Sequence, residues 1–426
     1  MNTNQLKESI LAGKYDGMFS KLYKDTLAAR ERYAAACDEF VKLYGVREDM
    51  RLFSAPGRTE VGGNHTDHQH GRVLAGSVDL DVIAIVSPNT ENIVHIKSAG
   101  YEMDTVNLDN LEIDDAETGR AISLIRGMCS IFKSNGYEIG GFDAYTTSNV
   151  LKGSGLSSSA AFEVLIGNIL SGMFNGGQVD RIEIAKIAQK AESVFFGKPC
   201  GLLDQSASSL GGFTAIDFKD PKAPVVEQVD FDLAEHGYAL CVVNTGGNHA
   251  NLTQDYADIT VECRNISNFF GKGFLRDVEP IDFFENIAKL REEYGDRAVL
   301  RALHFFNEDN RAEFEKEALK KDDFNEFLRL VNESGNSSFK YLQNVYSTSN
   351  LYEQGIALAL AITEQFFKGT GKGAYRVHGG GFAGTVQAFV PLDMLDGFVA
   401  GIDAALGEGA CHVLSIRPQG GVEMEV

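Results

Sequence analysis

The chain has 426 residues, 44% apolar and 23% charged, a composition that fits a globular protein with large buried cores. Its formal charge of −21 argues against nucleic acid and anionic membrane surfaces as partners, although a local site can still be positive enough for a nucleotide. Six cysteines lie far apart without CxxC spacing, the Met-Asn-Thr-Asn-Gln-Leu-Lys-Glu start lacks a basic-then-apolar run, and no apolar stretch nears the roughly 20 residues that span a bilayer, so a cytoplasmic location is expected.

Apolar residues at helical spacing predict a helix over 16–45. Short β-type runs follow at Arg51–Ser54, Val73–Val86 and Asn92–Lys97, then a helix at Arg120–Ser134 and a strand at Phe142–Ser148. Helices are expected at Ser158–Phe174 and Arg181–Phe196, ahead of a small-residue stretch at Gly201–Gly212. Strands are expected at Val225–Phe231 and Tyr238–Asn244, mainly helix from Leu252 to Phe367, and closing strands at Gly379–Val390 and His412–Arg417. The pattern is that of an α+β protein of two packed domains, 1–215 and 216–426.

Three segments carry chemistry. Residues 57–71 crowd Asn64, His65, Asp67 and His68 among glycines, and read as a dense polar loop. A sugar, a metal, or water on an exposed loop would each satisfy these groups. In Lys152–Ala161, glycines run into three hydroxyls at the start of an apolar helix. Such a terminus suits a phosphate, because its N–H groups are unpaired and its dipole end is positive; an ordinary capped helix has the same pattern. Arg376–Thr385 is rich in glycine and alone reads as a tight turn.

In this order, the three segments resemble those of the GHMP small-molecule kinases, and within them the galactokinases. The galactokinase signature Gly-Arg-Val-Asn-Leu-Ile-Gly-Glu-His-Thr-Asp-Tyr is matched at Arg58, Gly63, His65, Thr66 and Asp67. The phosphate loop is matched from Gly155 to Ala160, and the Gly-Gly-Gly-Phe-Gly-Gly loop at Gly379–Gly384 with Ala383 substituted. The stretch Gly197-Lys198-Pro199-Cys200-Gly201-Leu202-Leu203-Asp204-Gln205 resembles a further galactokinase block, as do Arg301–His304 and Asn332–Ser334. The resemblance implies an N-terminal S5-like domain, a C-terminal ferredoxin-like α/β sandwich domain, and ATP-dependent phosphorylation of the anomeric hydroxyl of galactose. It leaves the first 45 residues without a role.

The resemblance also assigns residues. It makes Asp204 the aspartate beside the hydroxyl that receives the phosphoryl group, and Arg58 the cation near both this aspartate and the γ-phosphate. Gly153, Ser154, Gly155, Leu156, Ser157, Ser158 and Ser159 would cradle the nucleotide phosphates. Ser159 and Glu192 would share Mg²⁺. Arg58, Asn64, His65, Asp67, Gly201, Asp204 and Tyr256 would meet the sugar. A monomer is expected.

Some positions depart from the pattern. Asn64 stands where galactokinases have Glu, a residue that faces the sugar 6-position in the family. Asn donates as well as accepts, so it would tolerate a 6-carboxylate, and a galacturonate kinase is the alternative. Thr59-Glu60-Val61-Gly62 replace Val-Asn-Leu-Ile, so local packing should differ. A non-catalytic galactose sensor is disfavoured, because the phosphate loop, Arg58, Glu192 and Asp204 are all present. Zinc at His65, His68 and His70 is also disfavoured, because the register accounts for His65 and Asp67 without a metal.

Overall fold

A computed structural model describes residues 1–151, 155–198, 200–247 and 252–425. Two sheets organise them. Strands β1 (Arg51–Gly62), β2 (Arg72–Pro88), β3 (Ile93–Ser98), β4 (Met103–Asn107), β5 (Phe142–Ser148), β6 (Phe213–Asp217) and β7 (Val225–Val229) belong to the first. Strands β8 (Tyr238–Asn244), β9 (Ala374–His378), β10 (Thr385–Pro391) and β11 (Cys411–Leu414) form the second, and β12 (Val422–Met424) returns to the first. The first sheet runs β12-β1-β2-β5-β3-β4, with β6 and β7 extending from the start of β2. Its β3–β5 pair is parallel and its other pairs are antiparallel. The second sheet, β11-β8-β10-β9, is antiparallel throughout.

Both faces of the first sheet are covered. Helices Ala121–Ser134, Ser158–Asn175 and Arg181–Ala191 bury Phe132, Ile166, Ile169 and Ile187 against Phe53, Val86 and Phe142. Each such side chain removed from water contributes about 1.5–3 kcal/mol. The opposite face carries the N-terminal helices, where Phe19, Tyr33 and Phe40 pack on Leu52, Ile83 and Ile85. The expected helix over 16–45 is two helices, Asp16–Leu22 and Thr26–Tyr44, because Asp25 caps the second by accepting from the N–H groups of Leu27 and Ala28. The lead-in thus supplies a layer of the core. It is also tied down electrostatically: Asp81, wholly buried, pairs with Arg32 (2.5 Å) and with the buried Arg417 (3.1 Å), and accepts from Tyr23.

Strand β1 is longer than the expected Arg51–Ser54, so Arg58 and Glu60 lie on a strand and only 63–71 forms the turn. Helix Leu203–Leu210 and strands β4, β6 and β9 also lie where none was expected. Each is short, and tertiary pairing outweighs its weak local signal.

Candidate active site

Arg58 and Glu60 stand two residues apart on β1, on one face, and both are partly covered while Thr59 and Val61 are buried. Irregularities in the β1–β2 pairing bracket them, between Pro56 and Arg58 and between Glu60 and Gly62. Such bulges re-aim side chains, here away from the sheet core. Arg58 Nε and Nη2 both lie 2.7 Å from Asp204 Oδ1. Its Nη1 donates to the Gly155 carbonyl, and its backbone N–H to the Leu156 carbonyl at 3.0 Å. Gly57 permits that approach, since a Cβ there would lie 2.8 Å from the Leu156 oxygen.

Asp204 sits in the first turn of helix Leu203–Leu210, where a negative charge is favoured. Ser157 Oγ donates to its second oxygen at 2.6 Å. Crowding by protein raises the pKa of this carboxyl, but Arg58 and Ser157 outweigh that and hold it below the ordinary value, so Asp204 is ionised at neutral pH. Ser157 occupies the N-cap position of helix Ser158–Asn175, with φ +55° and no capping bond. Its hydroxyl serves Asp204 instead. Among the described residues no side chain caps this helix start, which leaves its first N–H groups suited to an anion. The expectations for Gly153 and Ser154 fall outside the described residues.

Behind the loop, Glu192 is 1% exposed and opens a π-helical turn, Glu192–Phe196, that ends the preceding α-helix. Its Oε1 accepts from Ser159 Oγ (3.2 Å) and Lys198 Nζ (2.9 Å), and its Oε2 accepts from Gln205 Nε2 (2.7 Å). Gln205 also donates to Glu163 (3.1 Å), a buried carboxyl whose pKa is raised by burial and by the neighbouring Glu192. Sequence reasoning missed Glu163, Lys198 and Gln205. A lone carboxylate in the apolar run Ala160–Leu165 was the available signal for the first.

On the opposite wall, three successive glycine carbonyls receive the polar cluster. Gly379 O accepts from Asn64 (2.8 Å), Gly380 O contacts His65 Nε2 (2.8 Å), and Gly381 O accepts from Tyr256 (2.9 Å). Gly381 has φ +80°, and a Cβ there would collide with the Asn344 carbonyl. The glycine segment thus ties β9 and β10 to the turn after β1, rather than merely joining two strands. Asp67 accepts from the His68 N–H at 2.9 Å and lies against Gly201, where a Cβ would approach its carboxylate to 2.9 Å. Asp67, His68, Cys200 and Gly201 line one end of a cavity of about 640 Å³ that extends to Lys186 and Lys222.

Asn64 differs from the expectation. It is wholly buried, and its amide gives both protons to protein, to Gly379 O and to Glu60 Oε1 (2.8 Å), while Oδ1 accepts from Asn344 (2.9 Å) and Ser338 (3.3 Å). All four hydrogen-bonding positions are taken, so this structure does not bring Asn64 to the cleft. Among the other residues expected at the site, Arg58 and Ser157 both contact Asp204, Ser159 contacts Glu192, and His65 and Tyr256 meet the glycine segment. The charge of Arg58 bears on both Glu60 and Asp204. Beside Ser158 and Ser159 opens a second cavity of about 640 Å³, lined by Tyr101, Arg120, Ala121, Leu124, Phe162 and Phe196. No motif marks these residues, because they come from four separate elements.

Comparison with known proteins bears on family and fold. Residues 38–88 match the model of the galactokinase galactose-binding signature, and residues 123–212 that of the GHMP kinases N-terminal domain. The chain is 28% identical to a galactokinase of Clostridium tetani over 365 residues, 84% of this chain and 88% of the relative. It is 30% identical to a galactokinase of Streptomyces coelicolor over 276 residues, 65% of this chain and 70% of the relative. Its fold matches that of Lactococcus lactis galactokinase complexed with galactose, with a TM-score of 0.77 and 24% identity, covering 92% of this chain and 99% of that one. A mevalonate kinase matches at a TM-score of 0.60 and 16% identity over 86% of this chain and 98% of that one. By these matches the chain belongs to the galactokinase family of the GHMP kinases.

Proposed function

We infer that the protein catalyses ATP-dependent phosphorylation of the anomeric hydroxyl of galactose, giving galactose 1-phosphate and ADP. The observation that carries this reading is Asp204, ionised and held between Arg58 and Ser157 where the phosphate-loop helix begins. Such an aspartate orients the sugar hydroxyl and takes its proton late, since phosphoryl transfer proceeds with little early proton abstraction. Arg58 spans Asp204 and the loop, so its charge can pass from the aspartate to the transferred phosphoryl as negative charge shifts. The first N–H groups of helix Ser158–Asn175 would hold the nucleotide phosphates. The cavity flanked by Phe162 and Phe196 would take the adenine. His65, Asp67, Gly201 and Tyr256 are the proposed sugar side.

Ser159 and Glu192 fit a magnesium ion: two hard oxygens 3.2 Å apart, with the Lys198 ammonium already drawn to the same carboxylate oxygen. Two protein ligands suffice for a cation held mainly by nucleotide phosphates. When bound, it would neutralise charge on those phosphates. We read the chain as two domains, 1–215 and 216–426, with the β11-β8-β10-β9 sheet in the second; β6 straddles the boundary, and β7 and β12 of the second range pair into the first sheet.

Galacturonate specificity rested on Asn64 facing the sugar, and its burial removes that support. The test is ATP-dependent ADP release with galactose, galacturonate, galactosamine, glucose and arabinose. Galactose should give the highest kcat/KM; a preference for galacturonate would contradict the reading.

A further inference from the structure

Glu60 is a carboxylate for which neither the signature nor the phosphate loop accounts. It lies one pleat beyond Arg58 on the same face of β1, roughly 7 Å along the strand. That displacement is comparable to the length of a hexose. Only one of its oxygens is engaged: Oε1 accepts from Asn64 Nδ2 (2.8 Å) and Arg376 Nη2 (2.9 Å). Oε2 has no partner among the described residues, and the side chain is 15% exposed. Its holders are rigid. Arg376 is wholly buried and also donates to the Val61 and Val377 carbonyls, and Asn64 is fixed by four bonds. The family pattern has Asn and Glu at these two places; here they are Glu60 and Asn64, bonded to each other.

We propose that Glu60 is a sugar-binding residue whose free carboxylate oxygen accepts a hydroxyl of galactose remote from the transferred phosphate, with Asn64 and Arg376 as the residues that position it. This assignment rests on galactose being the substrate. An acceptor-only group at this place selects a hydroxyl and disfavours a sugar bearing a second carboxylate there. The exchange of Glu and Asn thus keeps a carboxylate at the sugar while moving it from the turn to the strand.

The test measures kinetics of wild type and Glu60→Gln with galactose and with monodeoxygalactoses, each lacking one hydroxyl. Glu60→Gln should lower kcat/KM for galactose roughly tenfold or more, the effect of losing a charge-assisted bond, with the KM for ATP within twofold. One deoxy-sugar should be poor for wild type yet no worse than galactose for the variant, because both changes remove the same bond. A purely structural role would make the two losses multiply for every deoxy-sugar, and that result, or an unchanged kcat/KM for galactose, would overturn the assignment. Glu60→Asp keeps a charge beside Arg376 while shortening the reach; it should show the same loss and the same non-multiplicative pair if Glu60→Gln does not fold. A folded wild-type enzyme inert on galactose would overturn the substrate reading, and this assignment with it.

Discussion

Replacing Asp204 with Asn removes one charge and almost no volume. In the structure, that carboxylate accepts from Arg58 Nε at 2.7 Å, has Arg58 Nη2 at the same distance as an ion pair, and accepts from Ser157 at 2.6 Å. The Asn oxygen can keep the Arg58 contact as a bond to an uncharged acceptor. Bonds to charged groups are worth about 1.5–3 kcal/mol and neutral ones about 0.5–1.5, so the folding cost should be only about 1 kcal/mol. Catalysis should suffer far more. Loss of a positioned proton acceptor typically costs about 10²–10⁴ in rate, or roughly 3–5 kcal/mol of barrier. The assay is coupled ADP release at saturating galactose and ATP, alongside a thermal melt. The expected result is a kcat reduced at least about 100-fold with a nearly unchanged melt. A variant within threefold of wild-type kcat would refute the role given to Asp204.

Other predictions follow from single contacts. Ser157→Gly relieves a positive φ that costs roughly 1–2 kcal/mol but deletes the bond to Asp204; the melting temperature should hold or rise while kcat falls roughly tenfold, and a fall in both would contradict the strain argument. Ala121→Trp places an indole in the apolar cavity beside Ser158, so the KM for ATP should rise at least about tenfold while that for galactose stays within twofold; the reverse pattern would move the nucleotide elsewhere. Glu315 is wholly buried against Gly62, neither oxygen has a partner among the described residues, and burial followed by the charge of Glu308 raises its pKa well above the ordinary value. A carboxyl raised in the folded state binds its proton more tightly there, so its stabilising contribution is full below about pH 4 and is lost as pH rises through the folded pKa. Glu315→Gln should therefore stabilise the protein most at pH 8 and progressively less toward pH 5, as thermal melts would show; a pH-independent loss would contradict this.

The proposed phosphoryl-transfer half of the site could be read from the sequence because its motifs are local. Ser157, Ser159, Glu192 and Asp204 belong to short segments whose geometry depends on one turn and two helix starts. The sugar half depends on pairing across the chain, which spacing does not reveal. Asn64 reads as a ligand in the sequence because its neighbours His65 and Asp67 do, yet contacts with Gly379, Ser338 and Asn344, all more than 270 positions later, bury it. Glu60 reads as packing because the alternation that sets it beside Arg58 emerges only once β1 is known to run to Gly62. The first 45 residues carry no motif, and their role lies in Phe19, Tyr33 and Phe40 covering a sheet and Arg32 meeting Asp81.

In the proposed reaction a phosphoryl group passes to the anomeric oxygen of galactose at Asp204. ³¹P NMR of a reaction of the purified protein with ATP, Mg²⁺ and galactose tests it directly. The expected result is ADP together with a new phosphomonoester resonance coupled to the anomeric proton, both absent with Asp204→Asn. A phosphomonoester coupled to the C6 protons, or no product beside intact ATP, would contradict it.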